Sequence, residues 1–241
     1  MNRSEFIQKH FLNVKLSKGS IDVYVPRQAI LAAVKECTHL LKGTLLDVGC
    51  GQMPYRELML SMNSQITSYI GLDLQTSSVH NTSIADIHWN GEVIPLADNS
   101  MDAAMATEVL EHSFCPEKTL TEINRVLKPG SVFFFTVPFI WPLHEVPYDA
   151  YRYTPFSLKM HLENCGFNQI NIRSLGGWNA SLAQMLGLWA SEKKKKGIGK
   201  KMLTWSVQQL MKYLIRKDTI DNTFGKHCMI TGLYGTAVKT N

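Results

Sequence analysis

Short apolar runs alternate along this chain with stretches in which apolar residues recur every three or four positions. The first pattern predicts buried strands and the second predicts helices that cover them. Residues 45–48 (LLDV) are a compact apolar run that turns at Gly49, and 68–74 (SYIGLDL) are a second. Residues 102–107 (DAAMAT) and 131–137 (SVFFFTV) are two more, and 168–174 and 229–239 read as the last two strands. Between them, Ile30, Val34, Cys37 and Leu41 recur at helical spacing after Pro26, with Gly43 just past the end. Residues 55–62 read as the helix that follows the first strand. Pro116 opens a helix with Leu120, Ile123 and Leu127 inward, and Lys128-Pro129-Gly130 stops it. Thr154 caps another, begun by Pro155 and closed by Gly166.

Strands alternating with helices imply an α/β fold with a mostly parallel, doubly covered sheet. Residues 181–217 break the alternation with about two helices, so they are expected as an insertion, helical and basic, within a single domain spanning 1–241. The chain is 45% apolar, enough for a substantial core. Its longest apolar run, 132–143, contains Pro138 and Pro142 and is too short to cross a bilayer. The first ten residues lack the apolar run of a signal peptide, which gives a cytoplasmic expectation. The five cysteines are scattered and never form CxxC, so buried thiols are expected rather than disulfides or a zinc centre.

Charge changes the picture in one place. Residues 193–217 hold nine Lys and Arg and no Asp or Glu; the remainder has 16 basic against 20 acidic residues, a net charge of −4. The positive charge is therefore one surface element, not a cleft lined for nucleic acid, and no nucleic-acid partner is expected. Leu203, Val207, Leu210 and Leu214 recur at helical spacing there, beside Trp205. A basic amphipathic helix fits peripheral contact through 193–217 with the inner membrane surface, or a lid docked on the domain.

Candidate chemistry begins at Asp47-Val48-Gly49-Cys50-Gly51. A strand delivers the chain to a glycine turn that lets a ligand approach the backbone. Asp73 ends the next strand, where a carboxylate can take both hydroxyls of a ribose. Asp86-Ile87 follows at the third strand–loop position, where an acid can accept from an adenine amino group. Then come Ile94-Pro95-Leu96, the turn with Asp98 and Asp102, Thr107-Glu108-Val109-Leu110-Glu111-His112, and Arg125-Val126-Leu127-Lys128-Pro129-Gly130.

In this order, over about 45–167, the sequence resembles the class I S-adenosylmethionine-dependent methyltransferases, of the type 11-like subgroup. The resemblance implies a Rossmann-like, doubly wound, seven-stranded sheet with an antiparallel last strand and the helical insertion before it. It implies S-adenosylmethionine as cofactor. It implies Asp47, Gly49 and Gly51 at the methionine end and Asp73 on the ribose. It also implies Asp86 with Ile87, in a loop after strand three, on the adenine, and Glu108, joined by His112, on the methionine side. Two positions depart from the pattern: Pro54 stands where the third glycine of the first motif belongs, and Ser131 where a second glycine follows Pro129. The missing GxGxxG argues against a nicotinamide enzyme. The absence of Asn/Asp-Pro-Pro-Tyr after the fourth strand argues against a DNA or RNA methyltransferase.

The substrate side is expected in 138–155, PFIWPLHEVPYDAYRYTP, where aromatic and polar residues alternate between prolines. Trp141, Glu145, Tyr148 and Arg152 are the expected substrate contacts, Arg152 by holding an anionic group. His144 suits a general base near neutral pH, oriented by Asp149. No metal site is expected, since this is not HExxH on a helix. Segments of the form HE.P.D.YRYT resemble those of bacterial methyltransferases of surface-glycan pathways. The expected reaction is therefore O-methylation of a small polar acceptor, a saccharide or glycoconjugate hydroxyl. C-methylation of a lipid quinone and a non-catalytic binding module are the alternatives.

Overall fold

The computed structural model describes residues 1–63, 65–74, 84–192 and 198–240, and for 198 and 200 the backbone alone. The expected seven strands form one sheet in the order β3-β2-β1-β4-β5-β7-β6. They are β1 (Gly43–Val48), β2 (Ile66–Leu74), β3 (Ile87–Trp89), β4 (Met101–Thr107), β5 (Leu127–Pro138), β6 (Phe167–Ser174) and β7 (Gly232–Lys239). The pairs β1–β2, β1–β4, β2–β3 and β4–β5 are parallel, and β7 is the antiparallel last strand. Leu45, Leu46 and Val48 of β1 and Phe133, Phe134 and Phe135 of β5 are fully buried. Consecutive buried residues on one strand mean that both faces of the sheet are covered. The strand order reverses between β1 and β4, so the crevice for a ligand opens beyond their carboxyl ends.

The helices are α1 (Arg3–Ile7), α2 (Tyr24–Cys37), α3 (Arg56–Met62), α4 (Pro116–Val126), α5 (Pro155–Asn164), α6 (Trp178–Glu192) and α7 (Ile198–Arg216). Thr154 caps α5 as its sequence predicts: its hydroxyl accepts from the Ser157 amide, and Ser157 answers the Thr154 amide. Lys128-Pro129-Gly130 does not precede β5 but lies within it. Met101 pairs with Leu127 and Ala103 with Val132, so the extra residues bulge out, with Gly130 at a φ of 76°.

Where the sequence reads as one domain, the chain gathers into two compact units. The first comprises Met1–Ala33, Phe139–Trp141 and Ser174–Leu233; the second comprises Val34–Pro138, Pro142–Arg173 and Tyr234–Asn241. The expected insertion belongs to the first as α6 and α7; its residues 193–197 lie outside the described residues. Ala180, Ala183 and Ala190 of α6 pack with Val207, Met211 and Leu214 of α7 and with Ile21 and Val25. This packing takes up most of the apolar stripe that the sequence marks on α7. Leu210 is the exception, 45% exposed. Among the described residues no helix is long and apolar enough to cross a membrane.

Candidate active site

The second unit carries the cofactor turn. The Gly49 and Cys50 amides both donate to the Leu72 carbonyl, at 2.8 and 3.1 Å, which bends the chain sharply after β1. Gly49 sits at a φ of 68°, and a Cβ there would meet Val109 Cγ2 at 2.5 Å. Gly51 has a φ of 49°, and no atom of the described residues lies within 4 Å of where its Cβ would be. Val109 requires the first glycine; the second is required by its backbone alone. The Gly51 amide donates to Asp73 Oδ2 (3.0 Å) and the Leu74 amide to Asp73 Oδ1 (2.8 Å), fixing that carboxylate at the end of β2.

Asp47 is buried at the last turn of β1. Tyr69 donates to its Oδ2 at 2.5 Å, while Oδ1 has no hydrogen-bond partner among the described residues. Burial pushes its pKa up to about 7; the Tyr69 hydrogen bond opposes the shift and the Asp73 charge adds to it. An unpartnered buried acceptor beside a turn open at Gly51 fits a ligand that brings a cationic donor, as the ammonium of a bound methionine group would.

The place of the missing third glycine is filled. Met53, at a φ of 46°, donates its amide to Cys50 (2.7 Å), and Met53, Pro54 and Tyr55 are buried. A Cβ on Gly71 of β2 would meet Met53 Sδ at 2.6 Å and Cys50 Sγ at 2.8 Å. The close approach that a third glycine permits is thus provided from the facing strand.

Asp86 needs a correction. It precedes β3 instead of following it. Its carboxylate accepts from the Gly71 amide at 2.8 Å and faces Arg56 at 3.4 Å, and Ile87 pairs with Leu72. The residues at the carboxyl end of β3 are Asn90 and Gly91. Asn90 Oδ1 accepts from the Glu92 and Val93 amides, closing a turn. Glu108 does lie just beyond β4, at a φ of 57°. Such a backbone costs about 1 kcal/mol or more and persists only where it is held. Thr136 holds it: the Glu108 amide donates to its carbonyl, and its hydroxyl donates to Glu108 Oε1 at 2.8 Å.

A second cluster stands beyond the same two strands. Leu110–His112 form a 3-10 turn, and the 142–153 segment hangs on it. The Ala150 and Tyr151 amides both donate to the Glu111 carbonyl, and the Tyr153 hydroxyl donates to the Leu110 carbonyl at 2.9 Å. His144 is within reach of Asp149 as expected, Nδ1 to Oδ2 at 3.2 Å. Arg152 clamps the same carboxylate with both terminal nitrogens, at 2.6 and 2.8 Å. These bonds hold the Asp149 pKa well below the usual range. Both terminal nitrogens of Arg152 thus engage Asp149. His112 Nδ1 meets the Tyr148 carbonyl at 3.0 Å, and its ring lies edge-on to that of His144, centroids 4.7 Å apart. Tyr148 exposes its ring against Phe114, and Glu145 Oε2 is 3.8 Å from His112 Nε2. Trp141 belongs to the first unit.

Glu111 is fully buried, and among the described residues neither carboxylate oxygen meets a hydrogen-bond donor outside its own backbone. Burial and then the Glu108 charge raise its pKa well above the usual range, with Arg152 opposing. Its signal in the sequence is the adjacent histidine.

Residues 46–135 match the family model described as a methyltransferase domain. A probable S-adenosylmethionine-dependent methyltransferase of Mycolicibacterium smegmatis is 29% identical over 118 residues, covering 47% of this chain and 43% of that protein. The ubiquinone/menaquinone biosynthesis C-methyltransferase of Klebsiella pneumoniae is 30% identical over 116 residues, covering 36% and 46%. The chain thus spans less than half the length of these curated relatives. Among solved structures, a possible histamine N-methyltransferase of Thermotoga maritima superposes with a TM-score of 0.55 at 15% identity, covering 92% of this chain and 98% of that one. A putative methyltransferase complexed with the Trm112 activator in Haloferax volcanii gives 0.54 at 17%, with the same coverages. The fold is that of these solved methyltransferase structures, and residues 46–135, from β1 into β5, carry the match to the methyltransferase-domain model.

Proposed function

We propose that the chain methylates an oxygen of a small polar acceptor, a hydroxyl of a saccharide or glycoconjugate. The observation that carries this reading is the Arg152–Asp149–His144 chain, fixed to the turn that follows β4. Bound S-adenosylmethionine supplies an electrophilic methyl on a positively charged sulfur. The protein must hold the acceptor in line and keep water out. Gly49, Gly51 and Asp47 receive the methionine end, Asp73 the ribose, and Glu108 borders the methyl. Asp149 holds the His144 Nδ1 proton, leaving Nε2 to take the acceptor's proton as the new bond forms. A positioned base of this kind contributes about 10²–10⁴-fold. Glu145 and Tyr148 are assigned to the acceptor, and Asp86 with Ile87 support the adenine side from beside β2.

Calorimetry with S-adenosylmethionine tests the core of this. Asp73→Ala should cut affinity at least about tenfold, one ribose contact of about 1.4 kcal/mol. His144→Ala should keep affinity and lose turnover. Unchanged binding by Asp73→Ala would sink the site assignment.

C-methylation of an apolar acceptor is the second reading. Leu143, Val146 and Phe114 are exposed around the loop, and the Klebsiella relative is named for quinone biosynthesis. Mass spectrometry of the product separates an O-methyl from a C-methyl. Peripheral contact with an anionic membrane is part of the proposal. The supporting observation lies on α6, where Trp178, Leu182, Met185 and Trp189 are exposed at helical spacing.

A further inference from the structure

We propose that Glu111, His112 and His144 form the ligand set of a divalent transition-metal ion. One ligand atom from each lies within 4.8 Å of the others. Two atoms each about 2.1 Å from a tetrahedral ion lie about 3.4 Å apart, so side-chain adjustments of about 1 Å close the set. His112 Nε2 already stands 3.7 Å from Glu111 Oε1.

Three further observations converge. First, Glu111 is completely buried, and among the described residues neither oxygen meets a hydrogen-bond donor outside its own backbone. A buried carboxylate without a partner is strongly disfavoured, and a cation is what it lacks. Second, both imidazoles are held by Nδ1, His112 on the Tyr148 carbonyl and His144 on the Asp149 carboxylate. Metal-binding histidines are held in this way by an acceptor on their far nitrogen, which leaves Nε2 as the lone-pair ligand. Third, Asp149 is itself fixed by Arg152, so the supporting shell has a second layer. These contacts come from three separate stretches, 108–112, 144–145 and 148–152, and they meet at one point.

Two imidazoles and one carboxylate favour Zn²⁺, Mn²⁺, Fe²⁺ or Co²⁺ over Mg²⁺ and Ca²⁺, which prefer all-oxygen shells. Three protein ligands leave a coordination position for water or substrate. On the methyltransferase reading, on which this use of the ion rests, that position takes the acceptor oxygen. His144 is then a ligand in the loaded protein and a base only in the metal-free one.

The test is titration of chelator-treated protein with Zn²⁺ by calorimetry, with Mg²⁺ as comparison and S-adenosylmethionine binding measured on the same samples. We expect one Zn²⁺ per chain and far weaker Mg²⁺. Glu111→Gln and His112→Ala should each weaken Zn²⁺ by about 100-fold, and Asp149→Asn by about tenfold. If a ligand variant fails to fold, Co²⁺ in the wild type serves instead: visible absorption bands that Zn²⁺ abolishes support the site. Wild type that takes no Zn²⁺, or takes it no better than folded ligand variants, or shows no Co²⁺ bands, overturns it. S-adenosylmethionine binding intact in that case leaves the proposed function standing. Its absence beside tight Zn²⁺ binding overturns the function and spares the ion.

Discussion

At the scale of residues, two glycines with the same sign of φ have different tasks. Gly49→Ala adds both left-handed strain and a collision with Val109. It should cost about 2–3 kcal/mol in denaturant unfolding, partly recovered by Val109→Ala. Gly51→Ala adds the strain alone, about 1 kcal/mol, and its loss should appear in cofactor affinity. Asp47 gives a pH signature. Its pKa is about 7 in the folded protein against an ordinary 3.8. Between those values the folded chain keeps a proton that the unfolded chain has lost, so stability falls as pH rises from about 4 to about 7. Asp47→Asn should flatten that part of the stability profile, measured by urea unfolding across the range. The turn was legible because glycine and acid spacing reports local backbone geometry. Asp86 was misplaced because β3 is only three residues long, too short for a pattern to mark its ends. The pairing of Arg152 with Asp149, three residues earlier, was not legible because it is a choice made by folding.

At the scale of elements, the strands were readable because a sheet covered on both faces leaves continuous apolar runs. The bulge in β5 was not, since Lys-Pro-Gly signals a turn whether the strand stops or continues. The apolar stripe of α7 was also visible, but periodicity shows that a face is buried without naming what covers it; Ile21, Val25 and α6 do. Hydrogen bonds from Ala150, Tyr151 and Tyr153 tie the 142–153 segment to the 110–111 turn, and Tyr153 is buried, 2% exposed. Tyr153→Phe removes a buried hydrogen bond to Leu110, for a loss of about 1 kcal/mol. Hydrogen exchange should quicken at the Ala150 and Tyr151 amides while the sheet amides stay protected. Unchanged exchange there would show that the Glu111 carbonyl holds the segment without help.

At the scale of the whole molecule, the chain is electrically lopsided: mildly acidic apart from 193–217. Such an arrangement orients the protein near an anionic surface, at about 1 kcal/mol for each lysine or arginine close to it. Co-sedimentation with vesicles containing phosphatidylserine should be strong at low salt and fade as ionic strength passes about 0.15 M, where the Debye length falls to about 8 Å. Equal sedimentation with neutral phosphatidylcholine would remove charge from the account and leave the α6 aromatics to explain it. Glu111 links this scale to the smallest one. Its carbonyl suspends the 142–153 segment while its carboxyl group lies in the interior, its pKa raised by that burial. Whatever satisfies the carboxylate also tightens the hook from which the segment hangs. Arrival of a cation would therefore be felt as stiffening of the loop, and Tyr148, exposed at its tip, is a natural fluorescent reporter of that event.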